Sequence, residues 1–432
     1  MDVPTRPHAV ASVRIKQMQR RAAAIMLLAG VVNYLDRSTL AIANPLIRHD
    51  LGLSISDMGL LLSAFLWAYA FSQLPAGALV DRIGPRKLLG AAILLWSAAQ
   101  VATGFAMNFW QFVVGRVFLG VGESPSFPSF VRGLREWHSV KDRAVPTSIV
   151  CSSPSSIGPA IAPPLLTLIM VGIGWRYMII VLGLSGVIVA GVWMKFYRDR
   201  TMITLTADEE AYLAEEAETS MGAAVNFGGW RKLFSYRTTW GIICGSFGLT
   251  YLQWLYLAWL PGYLEIERHI SISKTGVLAS IPFAFGILGS ICGGWAGKWL
   301  MGRGFSPIMS CKIPIVTGLT IAALATAAVT MAPSDAAALA AISFALFFVC
   351  AATGMAWALS GIAAPRNYTS SLASIQNFSG YCGGALAPTI TGFVVQATGT
   401  FGPALWTAAA FGFASAVAYL VVIPNRSLAF GD

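Results

Sequence analysis

Four charges lie where hydrocarbon is expected, and they are the residues that could do chemistry. Asp36 and Arg37 fall inside the apolar stretch Ala22 to Leu46, within Asn33-Tyr34-Leu35-Asp36-Arg37-Ser38; Arg116 and Glu123 fall inside a second stretch, 109–133. Of the 19 acidic residues, only Asp36 and Glu123 are expected deep within such runs. Charged side chains in a membrane helix are costly to insert and mark substrate or proton paths. Arg116 and Glu123 are two helical turns apart, which puts them on one face about 10 Å from each other. Asp36 and Arg37 are successive and point ~100° apart, so one is expected to face the span of Arg116 and Glu123 and the other the substrate space. A buried carboxyl beside an arginine holds its proton with an affinity that depends on which way the cavity opens, and proton coupling requires that dependence. The expected roles are proton binding by Asp36 and Glu123, a grip on a substrate carboxylate by the planar fork of Arg37, and Arg116 linking the two acids. The alternative is a buried ion network in which the four neutralise one another, although apolar residues would serve stability better.

Such side chains need membrane-crossing helices to hold them, and the composition supplies these. The chain has 432 residues, 56% hydrophobic and only 11% charged, with a mean hydropathy of +0.67. A soluble domain is nearer a quarter charged. About twelve apolar runs of ~20 residues, separated by short polar breaks, predict an all-α membrane protein of twelve transmembrane helices. The net charge of +10 is distributed unevenly. With the N-terminus inside, roughly 23 of the basic residues fall at cytoplasmic ends and about four outside, as the positive-inside rule requires. That places both termini in the cytoplasm, and the basic balance then needs no nucleic acid. Met1 to Arg21 has no apolar core followed by a small-residue cleavage site, so no cleaved signal is expected and the first helix serves as anchor. Cys151, Cys244, Cys292, Cys311, Cys350 and Cys382 stand singly, a spacing that argues against metal or disulfide roles. The sequence contains no Gly-x-x-x-x-Gly-Lys-Ser/Thr loop, so an ion gradient rather than ATP is the expected energy source, with protons first and sodium second. No cofactor beyond the coupling ion is called for.

The apolar pattern stops between the sixth and seventh runs. Residues 1–21 are expected as a cytoplasmic segment, 22–197 as a first six-helix lobe, 198–237 as a linker, 238–424 as a second lobe and 425–432 as a tail. In the linker, Thr206-Ala-Asp-Glu-Glu reads as a helix start with acids in the first turn, and Glu215, Glu216 and Glu218 continue a solvated charge run. The loop after the second run, Gly77-Ala-Leu-Val-Asp81-Arg82-Ile-Gly84-Pro85-Arg86-Lys87, resembles the G-x-L-x-D-R-x-G-x-R-K signature of the major facilitator superfamily. Gly77 allows close helix approach, Gly84 and Pro85 make the turn, and Asp81 can meet a helix N-terminus or a nearby arginine. The resemblance implies a cytoplasmic latch formed by Gly77, Asp81, Arg82, Gly84 and Arg86 when the protein faces outward. Gly293 to Gly304 is a degenerate echo without the acid, which suits two related six-helix lobes.

Within that superfamily, Asn33-Tyr34-Leu35-Asp36-Arg37, Gly115-Arg116-x-x-x-Gly120-x-Gly122-Glu123 and Trp259-Leu-Pro261-Gly-Tyr263 resemble the anion:cation symporter branch. So do Trp357-x-x-Ser360-x-x-Ala-Ala-Pro365 and Asn377-x-x-Gly380-x-x-x-Gly384-x-x-x-Pro388-x-x-x-Gly392. The resemblance implies the roles already given for Asp36, Glu123 and Arg37, a cavity-facing Tyr69, and an organic carboxylate substrate, most simply a hexonate, hexarate or hexuronate. Tyr34 and Tyr69 can donate to an anion or a sugar hydroxyl. Ser152 and Ser155 stand on span five where many relatives carry an amide, which opens the alternative of an aromatic or other less polar carboxylate. Trp254, Trp357, Ser360 and Asn377 are the candidates for holding the far end of the substrate, Asn377 most firmly, because an amide in an apolar helix needs partners. Gly-Pro on span five lacks the paired glycines of an antiporter motif, which counts against an anion exchanger. A sensor that binds without transporting is the reading from a different class. The overall expectation is a non-enzymatic monomer in a bacterial inner membrane, in contact with lipid and a small organic anion.

Overall fold

The computed structural model describes residues 11–139, 142, 144–214, 232–364 and 369–425, and among them there are helices and no strands. In chain order the helices are α1 (Val13–Ile42), α2 (Asn44–Leu51), α3 (Ile55–Ile83), α4 (Pro85–Gly104), α5 (Phe109–Glu123), α6 (Ser126–Trp137), α7 (Ala144–Ile173) and α8 (Trp175–Phe196). They continue with α9 (Ala207–Ala214), α10 (Arg237–Ile266), α11 (Ile272–Leu278), α12 (Ser280–Gly302), α13 (Pro307–Val329), α14 (Asp335–Ala363), α15 (Thr369–Thr398) and α16 (Gly402–Val417). Several starts follow local chemistry. The Ser54 hydroxyl accepts from the Asp57 backbone N–H while the Asp57 carboxylate accepts from the Ser54 N–H, a capping box. Thr206 and Glu209 cap α9 in the same reciprocal way, at 3.2 and 3.4 Å.

Eleven described segments are long and apolar enough to cross a bilayer, α11 and α12 together forming one of them. The twelfth crossing is the expected run 109–133, and it is not one helix. It breaks between α5 and α6 at Ser124-Pro125. Pro125 has no N–H to give the Val121 carbonyl; the Ser124 hydroxyl donates to that carbonyl instead, at 2.9 Å. At its other end, α1 starts nine residues earlier than the apolar run because the basic segment before Ala22 is also helical.

Packing repeats between the halves. The first crossing packs on the fifth (α1 on α7), the second on the fourth (α3 on α5), and the third on the fourth and sixth (α4 on α5 and α8); α10 with α15, α12 with α14, and α13 with α14 and α16 repeat that pattern. This is the two-fold internal arrangement that the echo of Gly293 to Gly304 suggested. Glycines serve it: a Cβ on Gly384 would lie 2.6 Å from the Trp254 ring. Buried Lys312 on α13 donates to the Ile423 carbonyl at 2.6 Å and to Asn425 at 3.1 Å, a basic group at the end of the last helical turns.

The halves meet along α3 and α15, α7 and α11–α12, and α1 and α10. The contacts concentrate at one end. There the Ile55 N–H donates to Gln396 at 3.0 Å, Ser63 and Thr389 pair at 2.7 Å, and a Cβ on Gly59 would lie 2.6 Å from the Pro388 carbonyl oxygen. At the opposite end of α3, nothing lies within 4 Å of where a Gly77 Cβ would stand.

Candidate functional site

The four charges gather where α1 passes α5, near the middle of the bundle. Glu123 is the last residue of α5, immediately before the break, and Arg37 of α1 reaches it: Nε donates to Oε2 at 2.7 Å with both side chains fully enclosed. Both Nη groups of Arg37 and the second Glu123 oxygen are buried without a hydrogen-bond partner among the described residues. Asp36 is fully buried with both oxygens unpartnered among the described residues, and its charged neighbours are Glu123, Arg116 and Arg37. Arg116 is 3% exposed and lies near both acids. Arg37 rather than Arg116 makes the direct ion pair to an acid, a difference from the expected linking role of Arg116; Arg116 influences both acids through space.

Aromatic rings enclose the guanidinium of Arg37. Its central carbon lies 4.9 Å from the ring centre of Tyr34, 5.0 Å from that of Phe65 and 4.6 Å from that of Tyr69, and the central carbon of Arg116 lies 4.9 Å from the Phe65 ring centre. Stacking of this kind stabilises a poorly hydrated cation. Ser155 of α7 lies beside the Tyr34 hydroxyl. Tyr69 packs against Tyr381 of α15, the ring centroids 4.7 Å apart and the planes tilted by 39°. Trp254 of α10 completes the group, 6.4 Å from Tyr381.

Asn377 lies one turn along α15 from Tyr381 and donates to Gln73 of α3 at 2.8 Å. The other expected residues are placed differently. Ser360 is buried between α14 and α15, donating to Gln376 and to its own helix. Trp357, one turn before Ser360 on α14, is 46% exposed and has no ring partner among the described residues. The Ser152 side chain, Glu215, Glu216, Glu218 and Pro365 lie outside the described residues. Three cluster members had no role assigned from sequence: Tyr381 and Gln73, on the seam between halves, and Asn33, fully buried beside Glu123. For Tyr381 the available signal was its place one turn from Asn377.

The signature loop is assembled but open. Asp81 faces Arg132 at 3.8 Å, both partly exposed, and Arg82 is exposed. Gly84 has φ 86°, a turn conformation that suits glycine. The acid at the start of α4 is Asp199, not Asp81: it accepts the Arg86 N–H at 3.0 Å, while the Arg86 side chain donates to the Tyr197 and Met194 carbonyls. Burial pushes the Asp199 carboxyl above its ordinary value, against the pull of the Arg86 N–H. Among the described residues nothing lies within 4 Å of where a Cβ on Gly77 would stand.

A family model described as Major Facilitator Superfamily matches residues 26–388. The chain belongs to the major facilitator superfamily. It is 40% identical over 424 residues to an Escherichia coli (strain K12) protein described as a probable L-galactonate transporter, covering 98% of this chain and 93% of that one. It is 30% identical over 378 residues to the hexuronate transporter of Bacillus subtilis (strain 168), covering 87% and 88%. Among solved structures, a D-xylose-proton symporter superposes with a TM-score of 0.73 at 14% identity, over 95% of this chain and 100% of that one. A bacterial homologue of the lysosomal transporter Spinster gives 0.72 at 19% identity, over 96% and 95%. These two likenesses concern the fold. The chain is therefore a multi-pass membrane protein with the major facilitator fold, and its resemblance to sugar-acid transporters of that superfamily holds.

Proposed function

We propose that this member of the superfamily accumulates an organic carboxylate, most simply a sugar acid, by proton symport and alternating access, as a monomer in a bacterial inner membrane with both termini cytoplasmic. The observation that carries this reading is the enclosed 2.7 Å contact between Arg37 and Glu123 beside an unpartnered Asp36. With both acids ionised the quartet of Asp36, Arg37, Arg116 and Glu123 is formally neutral, and Arg37 is engaged. Protonation of Glu123 and Asp36 from outside removes the competing charge, and the fork of Arg37 then accepts a substrate carboxylate bidentately. The lobes, 22–197 and 238–424, rock about the cavity. On the inner side the anion leaves, the acids lose their protons, and Glu123 pairs with Arg37 again. Substrate carboxylate and Glu123 carboxylate thus compete for one guanidinium, and this competition couples the two fluxes. The names of the relatives support a sugar acid: galactonate and hexuronate are the substrates in the descriptions given above. The signature loop, with Gly77 unopposed and Asp81 on Arg132, fits a latch in its released state.

The test is uptake of labelled L-galactonate into proteoliposomes under an imposed pH gradient, inside alkaline. Accumulation that a protonophore abolishes supports symport. Binding without accumulation supports the sensor, and equal flux with and without the gradient supports an exchanger. An aromatic carboxylate is the second reading, favoured by the rings of Tyr34, Phe65, Tyr69 and Tyr381 around Arg37. Counterflow with a panel of labelled acids separates the two.

A further inference from the structure

We propose that Gln73, held by Asn377, receives the terminal hydroxyl of a six-carbon sugar acid and sets the preference for that chain end; this rests on the sugar-acid reading above.

The direction in which a bound chain can extend from Arg37 is fixed by the seam between α3 and α15. The two helices run antiparallel in one register: Ile55 meets Gln396, Ser63 meets Thr389, Tyr69 meets Tyr381 and Gln73 meets Asn377. Beyond Tyr69 toward the closed end there is no room, because Ser63 and Thr389 are hydrogen-bonded at 2.7 Å and Gly59 lies against the Pro388 carbonyl. Toward the open end, the next polar rung is Gln73 with Asn377, and after it comes Gly77, with nothing near it. A substrate whose carboxylate sits on the unpartnered Nη groups of Arg37, at the level of Tyr69, therefore extends toward Gln73.

Length and chemistry both fit. Gln73 is four residues beyond Tyr69, a rise of ~6 Å, and five carbon–carbon bonds of ~1.5 Å in a zigzag span about as far. Two carboxamides facing each other offer donors and acceptors together, which is what a hydroxyl uses. Their contact takes one donor and one acceptor, and the Gln73 N–H reaches the Tyr69 hydroxyl only at 3.4 Å, so each amide keeps capacity for a ligand. Tyr381, packed at a tilt against Tyr69 and close to Arg37, lies between the two ends and walls the middle of the chain. An acid of two or three carbons would occupy Arg37 and never reach Gln73. One ending in a methyl group would reach it and leave both amides unanswered.

The experiment measures binding of L-galactonate and of its 6-deoxy analogue to the purified full chain and to Gln73→Leu. The unchanged protein is expected to prefer L-galactonate by about tenfold, the usual scale for one hydrogen bond in a partly buried site. In Gln73→Leu that preference should vanish while the 6-deoxy acid binds as before. An undiminished preference in Gln73→Leu, equal binding of the two acids by the unchanged protein, or an equal loss of both in the variant would each overturn the assignment of Gln73. Failure of the unchanged protein to bind either acid would instead overturn the sugar-acid reading beneath it.

Discussion

Replacing Glu123 by glutamine tests the competition for Arg37 directly. The side chain keeps its shape and its oxygen toward Nε of Arg37, 2.7 Å away in the unchanged protein, but loses the charge. Both partners are enclosed, and removing one charge of such a pair costs about 3–5 kcal/mol, because the other is left buried and uncompensated. In the unchanged protein at a pH where Glu123 is ionised, an incoming carboxylate must displace that interaction; in the variant it meets a guanidinium already in want of a counter-ion. Taking the lower end, ~3 kcal/mol, the variant should bind the anion about 100-fold more tightly than the unchanged protein at alkaline pH. At acid pH, where the protonated glutamate and the glutamine are equivalent, the two should converge. Binding to the unchanged protein weakens as pH rises, tenfold per unit for each proton linked, and the dependence contributed by Glu123 is absent from the variant. Isothermal titration with L-galactonate across pH measures this. Proteoliposomes carrying the variant should lose accumulation driven by a pH gradient and retain counterflow. A variant that still accumulates substrate, or binding by the unchanged protein that does not respond to pH, would refute the competition.

Arg37→Ala should remove anion binding, and Arg37→Lys should weaken it by about 100-fold, since the ammonium cannot present two parallel N–H groups nor stack on Tyr34, Phe65 and Tyr69 as the guanidinium does; titration with L-galactonate reads both. Gly59→Val should stop counterflow without removing binding, because its side chain cannot fit beside the Pro388 carbonyl when α3 and α15 close at that end. Two protons carried with a monoanion move one net positive charge inward per cycle, so an inside-negative potential should increase steady-state accumulation by ~2.3 kcal/mol per 100 mV; a valinomycin-set potassium potential measures it, and indifference to potential would mean one proton per anion.

Hydropathy located the crossings, because a span is a statement about solvent and the apolar runs are unambiguous. It misjudged two helices for the same reason. Arg14 to Arg21 continues α1 beyond the apolar run, since a helix outside hydrocarbon tolerates charge. Residues 109–133 read as one largely apolar run, but the helix breaks at Ser124-Pro125, and hydropathy does not register proline's missing donor. In the candidate site, Asp36, Arg37, Arg116 and Glu123 stood out singly, each anomalous in its own helix. Their pairing was less legible: one-helix geometry says that Asp36 and Arg37 diverge, not which of them meets α5. Gln73 and Tyr381 were not singled out, because polar residues at such positions acquire meaning only from the register of α3 against α15, and that register is set by contacts such as Ser63 on Thr389 that no local pattern encodes.

The location of Glu123 at a break has its own consequence. As the last residue of α5 it sits at the negative end of a helix, where a carboxylate is disfavoured and a cation favoured. Arg37 answers both the side chain and the helix end. An anion that takes Arg37 away from ionised Glu123 would expose that unfavourable placement, whereas an anion that arrives after protonation would not. In the proposed cycle the break would therefore strengthen the link between proton and substrate beyond what the ion pair alone supplies. It also lets α5 and α6 tilt separately about Ser124-Pro125, since only the Ser124 hydroxyl spans the missing backbone bond to Val121. A movement of α6 relative to α5 would be felt first at Glu123, since only Ser124-Pro125 separates the helix that carries the signature-loop partner Arg132 from the one that ends in the buried acid. Filling the break with Pro125→Ala would restore a continuous helix and remove that articulation, and the expected result is slower exchange with substrate binding preserved.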